Sequence, residues 1–216
     1  MRFAWFVLFA STSASAAFID LEKKEINLKV VYVSATDGAH ANLEYVFSKT
    51  NPEAKGKTAI MTVPSAKGST VKYFDFLPLA LGEIRGFKVR FHLYGVRSEK
   101  QDAAVQLVLK GADGIVFVAS AAPHAQKDNR VVFDRLKADL ATQGFDLKSM
   151  PFVLQLDTDG VTDPVTLEGL RKTLGLGEMT AFTATPASGH GVFDTLKGIA
   201  KLTLMELKKG AADAGR

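Results

Sequence analysis

The sequence predicts an α/β domain built on a mostly parallel, six-stranded sheet with one antiparallel edge strand and helices on both faces. Three observations predict it. Short, mostly apolar or β-branched runs near residues 28–33, 114–119, 152–156 and 182 alternate with amphipathic segments, the pattern of strands buried under crossover helices. One further pair of runs, 73–79 and 87–94, flanks a turn-rich stretch, and in the second run Phe87, Val89, Phe91 and Leu93 alternate with Lys88, Arg90 and His92. That alternation belongs to an antiparallel pair with one half-exposed face. The chain has 216 residues, 47% hydrophobic and 23% charged, enough to bury one sizeable core and no more than one domain usually holds.

Taken in order, Leu-Lys-Val-Val-Tyr-Val at 28–33 is the first strand, and a loop of small residues leads from it into a helix carrying Leu43, Val46, Phe47 and Thr50. Asn51-Pro52 ends that helix. Residues 55–68, rich in Gly and Lys, show no periodicity and read as a mobile loop. After the antiparallel pair come three strand–helix units. Strand 114–119 precedes a helix with Val132, Leu136 and Leu140 on one face, closed by Gly144. Strand 152–156 precedes a helix with Leu167, Leu170 and Leu174, capped by Thr166 and stopped by Gly175. Phe182 marks the last strand, and Val192, Leu196, Ile199, Leu202 and Met205 the last helix. Residues 18–210 make the domain, and 211–216 read as a flexible tail.

Residues 1–17 stand apart. Met1-Arg2, an apolar stretch at 3–10 and the small residues Ala14-Ser15-Ala16 have the layout of a secretory signal, too short in its apolar part to span a bilayer. An extension created by a misplaced start site is the competing account, and the rest of the chain favours the cytoplasm over export. A net charge of +4, evenly scattered, argues against a nucleic-acid partner. The absence of cysteine removes disulfides, thiolate nucleophiles and Cys-based zinc sites.

In such a sheet, ligands bind at the carboxyl ends of the strands, so the loops after Val33, Tyr94, Leu156 and Ala184 are where a site is built. A phosphate-binding loop needs G-x-x-x-x-G-K-[ST]: glycines let amides wrap the phosphates, a lysine neutralises them and a hydroxyl ligates magnesium. The first loop here reads Ser34-Ala35-Thr36-Asp37-Gly38-Ala39-His40-Ala41.

The chain resembles the bacterial MglA family of Ras-like small GTPases, which set cell polarity and gliding motility. The resemblance runs over about 18–210. Glu25-Ile26-Asn27, the run from Lys49 to Lys57, Phe74-Asp75-Phe76-Leu77-Pro78-Leu79, Leu81-Gly82-Glu83-Ile84-Arg85-Gly86-Phe87-Lys88, Phe91-His92-Leu93-Tyr94, Leu109-Lys110-Gly111 and the run from Gly191 to Lys197 carry it. It implies the Ras-like P-loop fold. In one register, with Ser34 as the first glycine, Ala39 stands at the second glycine, His40 at the lysine and Ala41 at the magnesium hydroxyl. One residue tighter, Ala39 stands at the lysine and His40 at the hydroxyl. Either way cation and metal ligand are lost, and Asp37 adds a negative charge beside the triphosphate. Two unit charges about 4 Å apart at an effective dielectric near 20 interact by roughly 4 kcal/mol, so the exchange costs orders of magnitude in affinity.

The other loops depart likewise. After Tyr94, where the family carries Pro-Gly-Gln to position the attacking water, this chain has Gly95-Val96-Arg97-Ser98-Glu99. The guanine-reading N-K-x-D is replaced by Asp157-Thr158-Asp159-Gly160, so its carboxylate falls on Gly160, and Asp159 substitutes only with a one-residue slip. The switch segment reads Ala66-Lys67-Gly68-Ser69-Thr70 in place of the family's threonine and catalytic arginine.

Other candidates read as structural. His40 lacks an orienting group or second ligand among its neighbours and reads as a surface loop residue. His92, His124 and His190 have no metal-ligand spacing. Asp157, Asp159, Asp163 and Glu168 echo a calcium loop with its glycine misplaced and read as solvated acids. Lys197, Lys201, Lys208 and Lys209 read first as a solvated helix face, with an acidic membrane surface as the alternative. The expectation is an MglA-like pseudo-GTPase that acts as a non-hydrolysing protein-binding module, without catalytic or metal-ligating residues and without cofactor. Its partner would be a Roadblock/MglB-like dimer or a polarity adaptor. The alternatives are an unorthodox small GTPase that still holds GTP or GDP with magnesium, and an exported scaffold.

Overall fold

The computed structural model describes residues 18–50, 59–62, 70–76, 83–84, 86–98 and 103–213. The signal-like segment 1–17, the helix stop at Asn51-Pro52, most of the expected loop 55–68, switch residues 66–69, Glu99 and the last three residues lie outside them.

The chain begins with β1 (Phe18–Asp20) and β2 (Glu25–Ser34), followed by α1 (Gly38–Thr50). Next come β3 (Ala59–Thr62), β4 (Thr70–Phe76), β5 (Glu83–Ile84), β6 (Phe87–Arg97) and α2 (Ala103–Leu109). The βα units are β7 (Gly114–Ser120) with α3 (Gln126–Thr142), β8 (Phe152–Asp157) with α4 (Leu167–Leu174), and β9 (Ala181–Ala184) with α5 (Val192–Asp213). The strand order is β3-β4-β6-β2-β7-β8-β9, with β1 antiparallel on β2 and β5 antiparallel on β6. From β6 through β9 every neighbouring pair is parallel.

The six expected strands are all present and the α/β class stands. The antiparallel strand β4 is not at the edge, however, because β3 pairs antiparallel along its outer side. That places a strand inside the stretch expected to be loop. The expected tail is shortened too, since α5 continues to Asp213.

Apolar side chains cover both faces of the sheet. Val31, Val33, Ile115, Phe117 and Leu154 pack with Val105 and Leu109 of α2, Phe133 and Leu136 of α3, and Leu170 of α4. On the opposite face Val30, Tyr32, Phe91, Val116 and Val118 pack with Leu43 and Val46 of α1 and Leu196 and Ile199 of α5. Period-2 alternation therefore sends successive residues of one strand to two different cores. In α4 the Thr166 hydroxyl accepts from the Gly169 amide at 3.0 Å, and Gly175 stops the helix at φ 69°. Among the described residues, no helix is long and apolar enough to cross a membrane.

Candidate functional site

The carboxyl ends of β6, β2, β7, β8 and β9 lie side by side in the sheet, and the loops after β8 and β9 meet. β2 stays paired with β6 through Ser34↔Arg97, and the Ser98 amide adds one more bond to the Ser34 carbonyl at 2.8 Å. Only residues 35–37 separate the strand from α1. Because the helix starts at Gly38, the tighter register describes the backbone: a P-loop lysine follows its glycine into the first helical turn, and here that residue is Ala39.

At the start of α1 three backbone amides find partners within the chain. Ser34 is fully buried; its hydroxyl donates to the Thr36 carbonyl and accepts the Ala39 amide at 3.2 Å. The Gly38 amide reaches Thr36 Oγ1 at 3.4 Å, and the Ala41 amide bonds the Asp37 carbonyl at 2.9 Å. Donors that a phosphate-binding loop would aim at a ligand are turned onto its own side chains and carbonyls.

His40 is not the surface residue its neighbours suggest. It is 8% exposed, and its Nε2–H donates to the Gly95 carbonyl at 3.0 Å, tying α1 to β6. A methyl group at Gly95 would stand 3.1 Å from that imidazole and 3.3 Å from the Ala39 carbonyl oxygen, so the histidine occupies the space a side chain there would need. Asp37 is paired: Arg97 Nη1 lies 3.2 Å from each of its carboxylate oxygens. Sequence reading missed both Gly95 and Arg97, and nothing local could have marked them, because each meets its partner across a strand pairing.

Asp157 ends β8 facing the start of α1. A Cβ at Gly38 would sit 2.5 Å from Asp157 Oδ2 and 3.0 Å from Val118 Cγ1, so the glycine here is required by a carboxylate of the chain itself. Burial raises the pKa of Asp157 above its ordinary value; the Asp159 amide, donating to Oδ1 at 3.0 Å, opposes that rise, and the Asp159 charge adds to it. Asp159 Oδ2 accepts the Ala187 amide at 3.3 Å, and Gly160 turns the loop at φ 66°. Thr158 bonds the Ala184 carbonyl and the Thr185 hydroxyl, closing the loop after β8 onto the loop after β9.

Of the predicted positions, the structure brings Ser34, Asp37, Gly38, Ala39, His40 and Ala41 together with Ser98 across β6, and Asp157 against Gly38. Asp159 and Gly160 belong to the adjoining turn, and Glu99 is outside the described residues. A magnesium-triphosphate does not match this chemistry: the helix start offers a methyl group at Ala39 and, at His40, an imidazole committed to a backbone carbonyl. Among the described residues no three His, Asp or Glu side chains are grouped to hold a metal ion.

No protein-family model matches the chain. A curated protein does: over 196 residues the chain is 44% identical to the mutual gliding-motility protein MglA of Myxococcus xanthus (strain DK1622), covering 90% of this chain and 99% of that one.

Proposed function

The chain belongs to the MglA family of Ras-like small GTPases, and we propose that within this family it is a pseudo-GTPase, a non-hydrolysing protein-binding module of a motility or polarity system. The observation that carries this reading is the self-satisfied loop between β2 and α1. Ser34 Oγ accepts the Ala39 amide, His40 is spent on the Gly95 carbonyl, and the lysine position holds alanine. Binding GTP there would require breaking these bonds without a cation to reward it. The Asp159 carboxylate, the nearest stand-in for the guanine-reading acid, already accepts the Ala187 amide.

Its likeness to a gliding-motility protein supports a place in motility. The partner we propose is a protein, either a Roadblock/MglB-like dimer or a polarity adaptor, engaged in the cytoplasm and without cofactor. Titration calorimetry of the full chain with GTP and GDP, with and without magnesium, tests the reading. The expected result is no heat of binding up to millimolar nucleotide. Micromolar affinity for either nucleotide would replace the pseudo-GTPase with a nucleotide-binding switch of unusual sequence. Mass spectrometry of the native N-terminus separates the cytoplasmic reading from export, for which a start at Ala17 is the signature.

A further inference from the structure

The last helix, α5, carries a lysine-rich stripe of its own. Asp194, Lys197, Lys201, Met205 and Lys208 follow one another at spacings of three and four and so share one side of α5. All five are exposed, Met205 to 48%. Lys209 borders this stripe and also lines a groove of about 430 Å³ that runs under Met205 and Leu202 to Met150 and Pro151, with the exposed Lys148 on its far rim. The opposing acids are few: Asp194 opens the stripe, Glu178 lines the groove, and Glu206 is bound to Lys209 at 3.2 Å.

We propose that this face of α5 and the adjoining groove form a peripheral docking surface for anionic lipid headgroups. Three features select a lipid surface over a protein. Every cation on the face is lysine, the residue depleted in protein–protein interfaces, which favour arginine and large aromatics. Lysine's long apolar stem and charged tip suit a headgroup layer, where each one near an acidic membrane adds attraction. The apolar component is one protruding methionine with half-buried leucines, enough to enter the headgroup boundary beside the lysines and too little for a dry protein interface. The binding is reversible and salt-sensitive, because it rests on a handful of exposed charges.

The test is sedimentation of the full chain with vesicles of phosphatidylcholine alone and of phosphatidylcholine with about 30% phosphatidylserine. The wild type is expected to sediment with the acidic vesicles only and to be released by salt. Substituting Lys197→Gln, Lys201→Gln and Lys208→Gln together is expected to weaken that binding about tenfold or more. Removing the same charge elsewhere, with Lys110→Gln, Lys127→Gln and Lys172→Gln, leaves it within about twofold. All these side chains are exposed, so both variants keep the fold, which circular dichroism checks. Absence of binding to acidic vesicles, or equal loss in the two triple variants, overturns the proposal. The calorimetric test of nucleotide binding reads a different site, so either conclusion can fail without the other.

Discussion

At the scale of single residues, the chain shows how a buried polar group sets a pH response. Asp113, in the loop between α2 and β7, accepts the Lys29 amide through Oδ2 at 2.7 Å, while Oδ1 is sealed from solvent without a partner. Burial pushes its carboxyl up to about 6 from 3.8, against the opposing pull of the Lys29 amide and charge. Because the folded-state value is raised, the native protein holds a proton that the unfolded chain has released. The contribution of this group to stability is therefore full below about pH 4 and falls as pH rises to about 6, by roughly 3 kcal/mol at 1.36 kcal/mol per unit. Asp113→Asn keeps an acceptor for the Lys29 amide and removes the charge. It is expected to be more stable than wild type by about 1–2 kcal/mol at about pH 7.5, with the advantage gone at about pH 4. Urea unfolding at the two pH values decides; a variant equally destabilised at both would show that the carboxylate is not the costly species.

At the scale of elements, the question is whether the β2–α1 connection can be returned to its family chemistry. The strand runs to Ser34 and the helix begins at Gly38, so lysine belongs at position 39 and the hydroxyl at 40. Ser34→Gly, Asp37→Gly, Ala39→Lys and His40→Thr together free the Ala39 amide, remove the carboxylate and supply both missing groups. One restored charge pair is worth about 4 kcal/mol at close range, and a gain of at least about tenfold in affinity for triphosphates is expected. GTP and ATP are expected to gain alike, because residues 157–160, closed onto 184–187 by Thr158 and Asp159, depart from the family's guanine-reading motif. The wider-register set, Ser34→Gly, Asp37→Gly, Ala39→Gly, His40→Lys and Ala41→Thr, gains less. Equilibrium binding of fluorescent GDP, GTP and ATP measures all three outcomes, and guanine-selective binding by the first variant contradicts the account of the base loop. The registers also show what sequence could give. The long strands and α3, α4 and α5 announce themselves by period, and α4 by its Thr166 and Gly175 caps as well, whereas β1 and β5, of three and two residues, take their order entirely from the strands they pair with. Helix α2 spans only seven residues, too few for a period to stand out, although Val105, Val108 and Leu109 make its buried face. The departures from the family's phosphate and base motifs are residue identities and so stand in the sequence itself. The burial of His40 does not, since it depends on the absent side chain of Gly95, brought alongside only when β6 pairs with β2.

At the scale of the whole molecule, a GTPase signals by holding two arrangements of its strands and loops whose balance the nucleotide shifts, and a ligand shifts a balance only by its differential affinity for the two. Here β2 and β6 are hydrogen-bonded along their whole shared length, Ser98 extends the ladder to the rim, and Asp37 and Arg97 join the two strand ends across it. The pairing of β2 with β6 is thereby held in one register beside the antiparallel strands β4 and β5. A partner that reads these strands, β4 to β6, should meet the same surface whether or not nucleotide is in solution. The family-like run around Glu83, Ile84 and Phe87 gives such a partner something to recognise, with β5 folded back on β6 through Ile84↔Phe87. The prediction is a binding constant for a Roadblock/MglB-like dimer, measured by biolayer interferometry, that stays within about twofold on addition of GTP or GDP with magnesium, a coupling free energy near zero. Substituting Ile84→Ala should weaken the complex in all three conditions equally. Capture of the partner in GTP alone would require a second strand register and a working nucleotide site at Ser34, Ala39 and His40, and would overturn the pseudo-GTPase proposal.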